Sequence, residues 1–206
     1  NNYLIPAQSS FMKNIALGVS GIAAGSFLAS MPFILMQLKS SLPYMATPRR
    51  KIVLALKEVE HRMMLKQHRS SNTGTSNQRQ LIFTDLGSGD GEAILAAVER
   101  GWVATGVEMN PTLWAVSMIR KMCHLSREER SRATFRCGDF FNQNVSLSDA
   151  IMIFGIKPLM PSITKKIRSE AKSGAYILSY RFKLPLDRTD ADLLLDQEDM
   201  RVYQLK

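Results

Sequence analysis

The residues whose types and spacing can do chemistry form one run, Asp85-Leu86-Gly87-Ser88-Gly89-Asp90-Gly91. An apolar stretch, Leu81 to Thr84, precedes it and reads as a buried parallel strand. Ala93, Ile94, Leu95, Ala96, Ala97 and Val98 follow it and read as a helix. Strand, glycine-rich turn and helix in that order make a nucleotide-binding unit, because glycines let the backbone turn sharply and approach a ligand closely. Dinucleotide loops read G-x-G-x-x-G and set a pyrophosphate on the helix N-terminus. Here the glycines are spaced G-x-G-x-G, Glu92 stands where the third glycine or alanine belongs, and Asp85, Asp90 and Glu92 surround the turn. Carboxylates there repel a diphosphate. They suit a phosphate-free ligand that carries an ammonium and a sulfonium, and S-adenosylmethionine (SAM) is that ligand. The competing reading is an acidic turn that binds nothing.

Two more acids stand where such a ligand needs them. Trp102 to Val107 reads as a second strand and ends at Glu108, 17 residues after Gly91. An acid at this strand tip accepts hydrogen bonds from both ribose hydroxyls. Asn110-Pro111 opens a helix that reaches about Leu125. Ala133 to Cys137 reads as the third strand, and Asp139 and Phe140 just beyond it are placed to accept the adenine amine and to lie against its ring. The expected cofactor residues are therefore Asp85, Gly87, Ser88, Gly89, Asp90, Gly91, Glu108, Asn110, Asp139 and Phe140. No side chain presents itself as an obligatory catalytic base. Cys123, Cys137, His61, His68 and His124 are too scattered for a metal site.

The elements that position these residues alternate strand and helix. Gly101 ends the first helix as a C-cap. Leu113, Val116, Ile119 and Met122 repeat at three along the next helix and read as a stripe facing the core. Ser126 with Glu129 has the pattern of a capping box. Ala150 to Phe154 is uniformly apolar, the mark of a central strand. Its tip, Gly155-Ile156-Lys157-Pro158, faces the place where a methyl group would leave. Ser162 is expected to cap the following helix, Gly174 to precede a fifth strand over 175–182 with Arg181 near its end, and Leu193–Leu195 and Val202–Leu205 to supply the last two strands.

Upstream of this domain the chain changes character. No charge occurs between Lys13 and Lys39, leaving 25 mostly apolar residues, 14–38. At about 1.5 Å per residue that length spans a hydrocarbon core of about 30 Å. Gly21, Gly25 and Ala29 put small residues on one face, and a Pro32 kink is tolerable in a membrane helix. A buried helical hairpin is the alternative. Lys39, Arg49, Arg50 and Lys51 outnumber Lys13, so the positive-inside rule sets the following domain on the inner side, which in a mitochondrion is the matrix. Thr47-Pro48 then starts a helix to about Lys66. Between Arg49 and Arg79 eight Lys or Arg face only Glu58 and Glu60, giving +6 of the chain's +9. Such a stretch reads either as a patch on anionic inner-membrane lipid or as a solvated face. The expected organisation is a tail (1–13), a transmembrane helix (14–38), a basic helix and linker (39–80) and an α/β domain (81–206).

These motifs resemble one family. The general pattern is the Rossmann-like, seven-stranded class I SAM-dependent methyltransferase fold. The closer likeness is to the mitochondrial lysine methyltransferases of the adenine nucleotide translocase and the ATP synthase c subunit. It rests on the hydrophobic N-terminal segment, Pro43-Tyr44-Met45-Ala46-Thr47-Pro48, Asp85–Gly91, Glu108-Met109-Asn110-Pro111 and Ile153-Phe154-Gly155. Glu92 departs from the family pattern, which has arginine there, and Lys157 is unusual at a strand tip meant to receive a lysine. The resemblance implies a protein-lysine N-methyltransferase in the mitochondrial inner membrane with its domain on the matrix side, SAM as cofactor and one of those two membrane proteins as substrate. Two other readings compete: a non-catalytic, methyltransferase-fold subunit of a large mitochondrial membrane complex, and an RNA methyltransferase drawing on the basic surface. The absence of a DPPY/NPPY-type strand tip, together with the apolar span, argues against nucleic acid.

Overall fold

The structure is a computed structural model that describes residues 46–70, 79–155 and 157–206. The expected tail (1–13) and apolar span (14–38), the stretches 39–45 and 71–78 of the expected basic helix and linker, and Ile156 lie outside the described residues. The chain divides into two compact units, 1–43 and 44–206, and every described residue belongs to the second. Among the described residues no helix is long and apolar enough to cross a membrane.

The element order is α1 (Arg49–Ser70), β1 (Ile82–Leu86), α2 (Glu92–Glu99), β2 (Val103–Glu108), α3 (Pro111–His124), α4 (Arg127–Arg132), β3 (Ala133–Cys137), β4 (Ala150–Ile153), α5 (Met160–Glu170), β5 (Tyr176–Tyr180), β6 (Ala191–Gln197) and β7 (Met200–Leu205). The seven strands form one sheet in the order β3-β2-β1-β4-β5-β7-β6. Strands β1 to β5 run parallel, and β7 is antiparallel to both neighbours. This is the seven-stranded, Rossmann-like class I methyltransferase arrangement that the motif order implies. Its last two strands form a hairpin whose two turn residues, Glu198 and Asp199, both take left-handed backbone (φ 47° and 70°), as a tight hairpin turn requires.

The order in which strands are added reverses at β1. From β1 the chain steps outward to β2 and β3, then returns to β4 on the other side of β1. Ligands of open α/β sheets bind at such a switch point, beyond the carboxyl ends of the strands. The Gly87–Gly91 turn begins there.

Apolar layers cover both faces of the sheet. On one, Phe83, Ala104, Met152, Leu178 and Val202 pack against α1 and α2; on the other, Leu86, Ile151, Ile153, Ile177 and Tyr203 pack against α5. Helix α1 buries Ile52, Ala55, Leu56 and Val59, an i, i+3, i+4, i+7 stripe. Its Glu60 accepts hydrogen bonds from Arg100 and from the Trp102 indole (2.9 Å). One face of the basic helix is thus a layer over the sheet.

Two expected helix details are corrected. The repeat of three along α3 does not face the core: Val116, Ile119 and Met122 are 38%, 63% and 58% exposed, while Ser117 is fully buried. A repeat of three advances about 300° per step on a helix of 3.6 residues per turn, so four such residues drift around half the circumference. The inward stripe is instead Trp114, Ser117, Met118 and Leu125, with the Trp114 indole donating to the Phe135 carbonyl (3.3 Å). Ser162 does not cap α5. That helix begins at Met160 after a 3-10 turn, with no side-chain cap, and Pro161 occupies its first turn, where a missing N–H costs nothing.

Candidate cofactor site

Hydrogen bonds to β2 shape the turn after β1. The amides of Gly87 and Ser88 both donate to the Val107 carbonyl at 2.9 Å, and Gly89 donates to Glu108 Oε2 at 2.8 Å. Gly91 donates to Ser88 (2.8 Å) and Glu92 to Asp90 Oδ1 (3.3 Å). Five amides that a phosphate loop would offer to a ligand are therefore spent on protein acceptors. A pyrophosphate would find most of the turn's amides already engaged and carboxylates around them.

Glu108 carries the second part of the site. Its Oε1 accepts from the Asn110 amide (2.7 Å), so the carboxylate is pinned between the loop and the start of α3. Each oxygen keeps a lone pair, which suits an approaching pair of ribose hydroxyls. The Asn110 side chain itself caps α3, accepting from Thr112 (2.9 Å) and Leu113 (3.4 Å). At the neighbouring tip, Gly138 donates to the Glu108 carbonyl (2.9 Å). Asp139 beyond it is exposed and accepts from the Phe141 amide (2.9 Å), and Phe140 is half-buried against Phe141, ring centroids 4.6 Å apart.

Asp85 is the electrostatic centre. It is 4% exposed and has no cationic partner among the described residues. Burial, and then the Glu108 and Asp90 carboxylates, push its acid up to about 8. Like charges around a buried acid stabilise its protonated form until a cation arrives. Asp90 differs, because Arg120 on α3 ion-pairs with it. A donor set of one uncompensated buried acid beside a pinned carboxylate fits a ligand bearing an ammonium and a sulfonium.

Two expected neighbours of the ligand point elsewhere. Glu92 is turned from the turn's ligand side: Arg49 at the start of α1 donates to its Oε1 (2.6 Å), and Arg120 pairs with its Oε2. Although burial opposes it, these two guanidiniums hold the Glu92 acid below the usual carboxylate range. The Ser88 hydroxyl is buried without a partner and lies over Gly106, where any Cβ would stand 2.7 Å from it. Its amide, not its hydroxyl, shapes the loop. Arg49 and Arg120 were not legible as site residues, since they lie far from the loop in sequence and only the packing of α1 and α3 on α2 brings them there.

Gly91 is irreplaceable for two reasons. Its φ is +84°, and an added Cβ would lie 2.8 Å from the Phe135 ring and 2.9 Å from Ser117 Cβ. Gly91→Ala is expected to cost about 2–4 kcal/mol through strain and overlap, measured as a fall in the chemical-denaturation midpoint.

When bound, SAM supplies an electrophilic methyl on sulfonium. The residues placed to hold it are Asp85, which would offer charge to the methionine end, and Glu108, which would meet the ribose, with the turn between them. The tips of β4 and β5 bring Phe154 and Tyr180 together, ring centroids 5.6 Å apart, which gives that edge an apolar wall.

Comparison with known proteins agrees with this geometry. Residues 85–190 match the family model of the ANTKMT methyltransferase domain. The lysine N-methyltransferase of the ATP synthase c subunit from Xenopus laevis is 31% identical over 179 residues, covering 84% of this chain and 70% of the relative. The adenine nucleotide translocase lysine N-methyltransferase of Mus musculus is 35% identical over 107 residues, covering 50% of this chain and 44% of the relative. Among solved structures, the RNA methyltransferase from Salinibacter ruber in complex with S-adenosyl-L-homocysteine shares the fold, with a TM-score of 0.54, 22% identity and coverage of 78% of this chain and 92% of that one. With the family model matching just over half of the chain and relatives matching most of it, the chain belongs to the ANTKMT methyltransferase-domain family of SAM-dependent enzymes.

Proposed function

We propose that this protein is a membrane-anchored, SAM-dependent protein-lysine N-methyltransferase. Its anchor is the apolar span 14–38, its domain lies on the matrix side of the mitochondrial inner membrane, and its acceptor is a lysine of an inner-membrane protein, the ATP synthase c subunit or the adenine nucleotide translocase. The observation that carries the reading is the buried Asp85 carboxyl, without a cation of its own, beside Glu108 at the sheet's switch point. The named substrates come from the relatives and the anchoring from 25 uncharged residues.

Transfer to lysine is an in-line displacement by a neutral amine. The protein's contribution is proximity and a water-poor edge, and no side chain is required as a covalent participant. Loss of the ammonium proton is the one acid–base step, and it precedes attack.

The test uses the full chain in detergent or nanodiscs, SAM, and either the purified translocase or the purified ATP synthase c ring. Methylation of one lysine, detected by peptide mass spectrometry and abolished by Glu108→Ala, is the expected result. SAM binding by calorimetry without transfer to either protein would reject the substrate. Absence of SAM binding would reject the enzyme and favour a structural role within a larger complex.

A further inference from the structure

A groove lies between the start of α5 and the loop that leaves β5. Pro161 and Pro185 line both halves of it, and Met160 and Phe182 complete an apolar floor. One half has a volume of about 460 Å³ and opens beside Lys157, next to the β4 tip. Its rim is cationic. Lys157, Lys165, Arg168, Arg181 and Lys183 surround it, with Asp190 paired to Arg168 and Asp196 to Lys183 at 3.4 Å. Lys157 and Lys165 have no ion-pair or hydrogen-bond partner among the described residues. The chain enters this loop through Arg181, whose φ of 69° is uncommon for a residue with a side chain. That conformation is held by a hydrogen bond that the Arg181 amide donates to the Asp199 carbonyl (2.8 Å) and by one that Arg201 donates to the Arg181 carbonyl (3.2 Å). Strain held in place by neighbours marks a position whose shape is used.

Such a rim sets a condition on what approaches. An acceptor lysine is itself a cation, and a field of net positive charge beside the β4 tip repels it. Attraction requires that the same segment bring carboxylates to the rim. The groove is concave, with an apolar floor below a charged rim. That form receives a polypeptide segment with alternating apolar and acidic side chains, whereas a bilayer surface is met by a protruding face. We propose that this groove grips the protein substrate and selects a segment with acidic side chains next to the acceptor lysine. The inference rests on the reading of the chain as a protein-lysine methyltransferase and adds the chemistry of its substrate.

The experiment measures fluorescence anisotropy of two labelled peptides on the full chain in neutral nanodiscs. Both peptides carry one lysine, flanked in one by glutamates and in the other by glutamines at the same positions. The glutamate peptide is expected to bind about tenfold tighter at low salt, equivalent to about 1.4 kcal/mol, with the preference shrinking as salt rises. Lys157→Gln with Lys165→Gln breaks no ion pair and is expected to erase the preference, with circular dichroism and the SAM dissociation constant unchanged. Equal binding of the two peptides overturns the proposal, as does a preference that survives the double substitution. If the peptides do not discriminate but vesicles containing phosphatidylglycerol bind in a Lys157-dependent manner, the rim serves a lipid surface and the proposal also fails. Loss of SAM binding with the glutamate preference intact would remove the enzymatic reading and leave the groove standing.

Discussion

Binding of SAM is expected to strengthen steadily as the pH rises toward about 8 and to release close to one proton near neutrality. The cause is Asp85. In the free protein its carboxyl is held protonated up to about 8, first by burial and then by Glu108 and Asp90. A bound ammonium and sulfonium favour the ionised form, so the ligand must displace the proton. Below the free-protein value the dissociation constant should therefore fall by up to about tenfold per pH unit and level off above it. Calorimetry in two buffers of different ionisation enthalpy reads the proton directly. Asp85→Asn should weaken binding by at least about tenfold, the loss of a hydrogen bond to a charged group, and should remove both the slope and the proton. A wild-type affinity flat between about pH 6 and about pH 8 would show that Asp85 does not meet the cation.

The same group has an opposite effect on stability. Its folded value lies above the unfolded one, so the fold holds the proton more tightly. That contribution is complete below the unfolded carboxylate range near pH 4 and is lost as the pH rises through about 8. Ligand-free Asp85→Asn, which carries no charge to bury, should therefore melt higher than wild type at about pH 8, even as it binds SAM less well. Stability given up at a binding acid is the signature of a site used for a charged ligand.

Local sequence was enough for the order of the parallel strands, the turn after β1 and the acid at the tip of β2. Those features are set within about 30 residues by apolar runs, glycines and one βαβ unit. The capping box at Ser126 and Glu129 was legible for the same reason, and both of its hydrogen bonds are formed. What was not legible depends on contacts between distant segments. The inward face of α3 is set by Trp114 reaching the Phe135 carbonyl and by Ser117 packing with the Phe135 ring against Gly91. A repeat of apolar residues could not reveal that choice. The start of α5 at Met160 falls between Pro158 and Pro161, two residues ahead of Ser162. Of the cofactor set, the glycines, Asp85 and Glu108 meet at one place. Asn110 serves through its cap and Ser88 through its amide. Asp139 and Phe140 stand just beyond the β3 tip, with Asp139 taken up by the Phe141 amide.

Glu92→Arg, which installs the residue of the family pattern, is expected to be as damaging as any single change at this end of the fold. Glu92 sits between Arg49 and Arg120 with its side chain 18% exposed. Arg49 also pairs with Glu99, and Arg120 with Asp90, so acids and bases from α1, α2, α3 and the turn form one network. A third guanidinium in that space leaves two cations facing a like charge in a partly desolvated site. The cost is about 2–4 kcal/mol, below the full penalty of a buried ion pair because Arg49 is 42% exposed and screened by water. For a domain of this size that corresponds to a melting temperature lower by on the order of 10 °C. Glu92→Gln removes the charge without adding one and should cost about 1–2 kcal/mol. The network predicts coupling: Glu92→Gln with Arg49→Gln, and Glu92→Gln with Arg120→Gln, should each be less destabilising than the sum of their single changes by about 0.5–2 kcal/mol. The consequence reaches the ligand through Asp90, which Arg120 orients and whose Oδ1 accepts the Glu92 amide. SAM should accordingly bind several-fold more weakly to Glu92→Arg at a temperature where the variant is still folded. An unchanged melting temperature and an unchanged SAM affinity would mean that α1 and α3 hold the turn without Glu92. Loss of both would establish that the departure from the family pattern is balanced within this chain by two arginines that no motif contains.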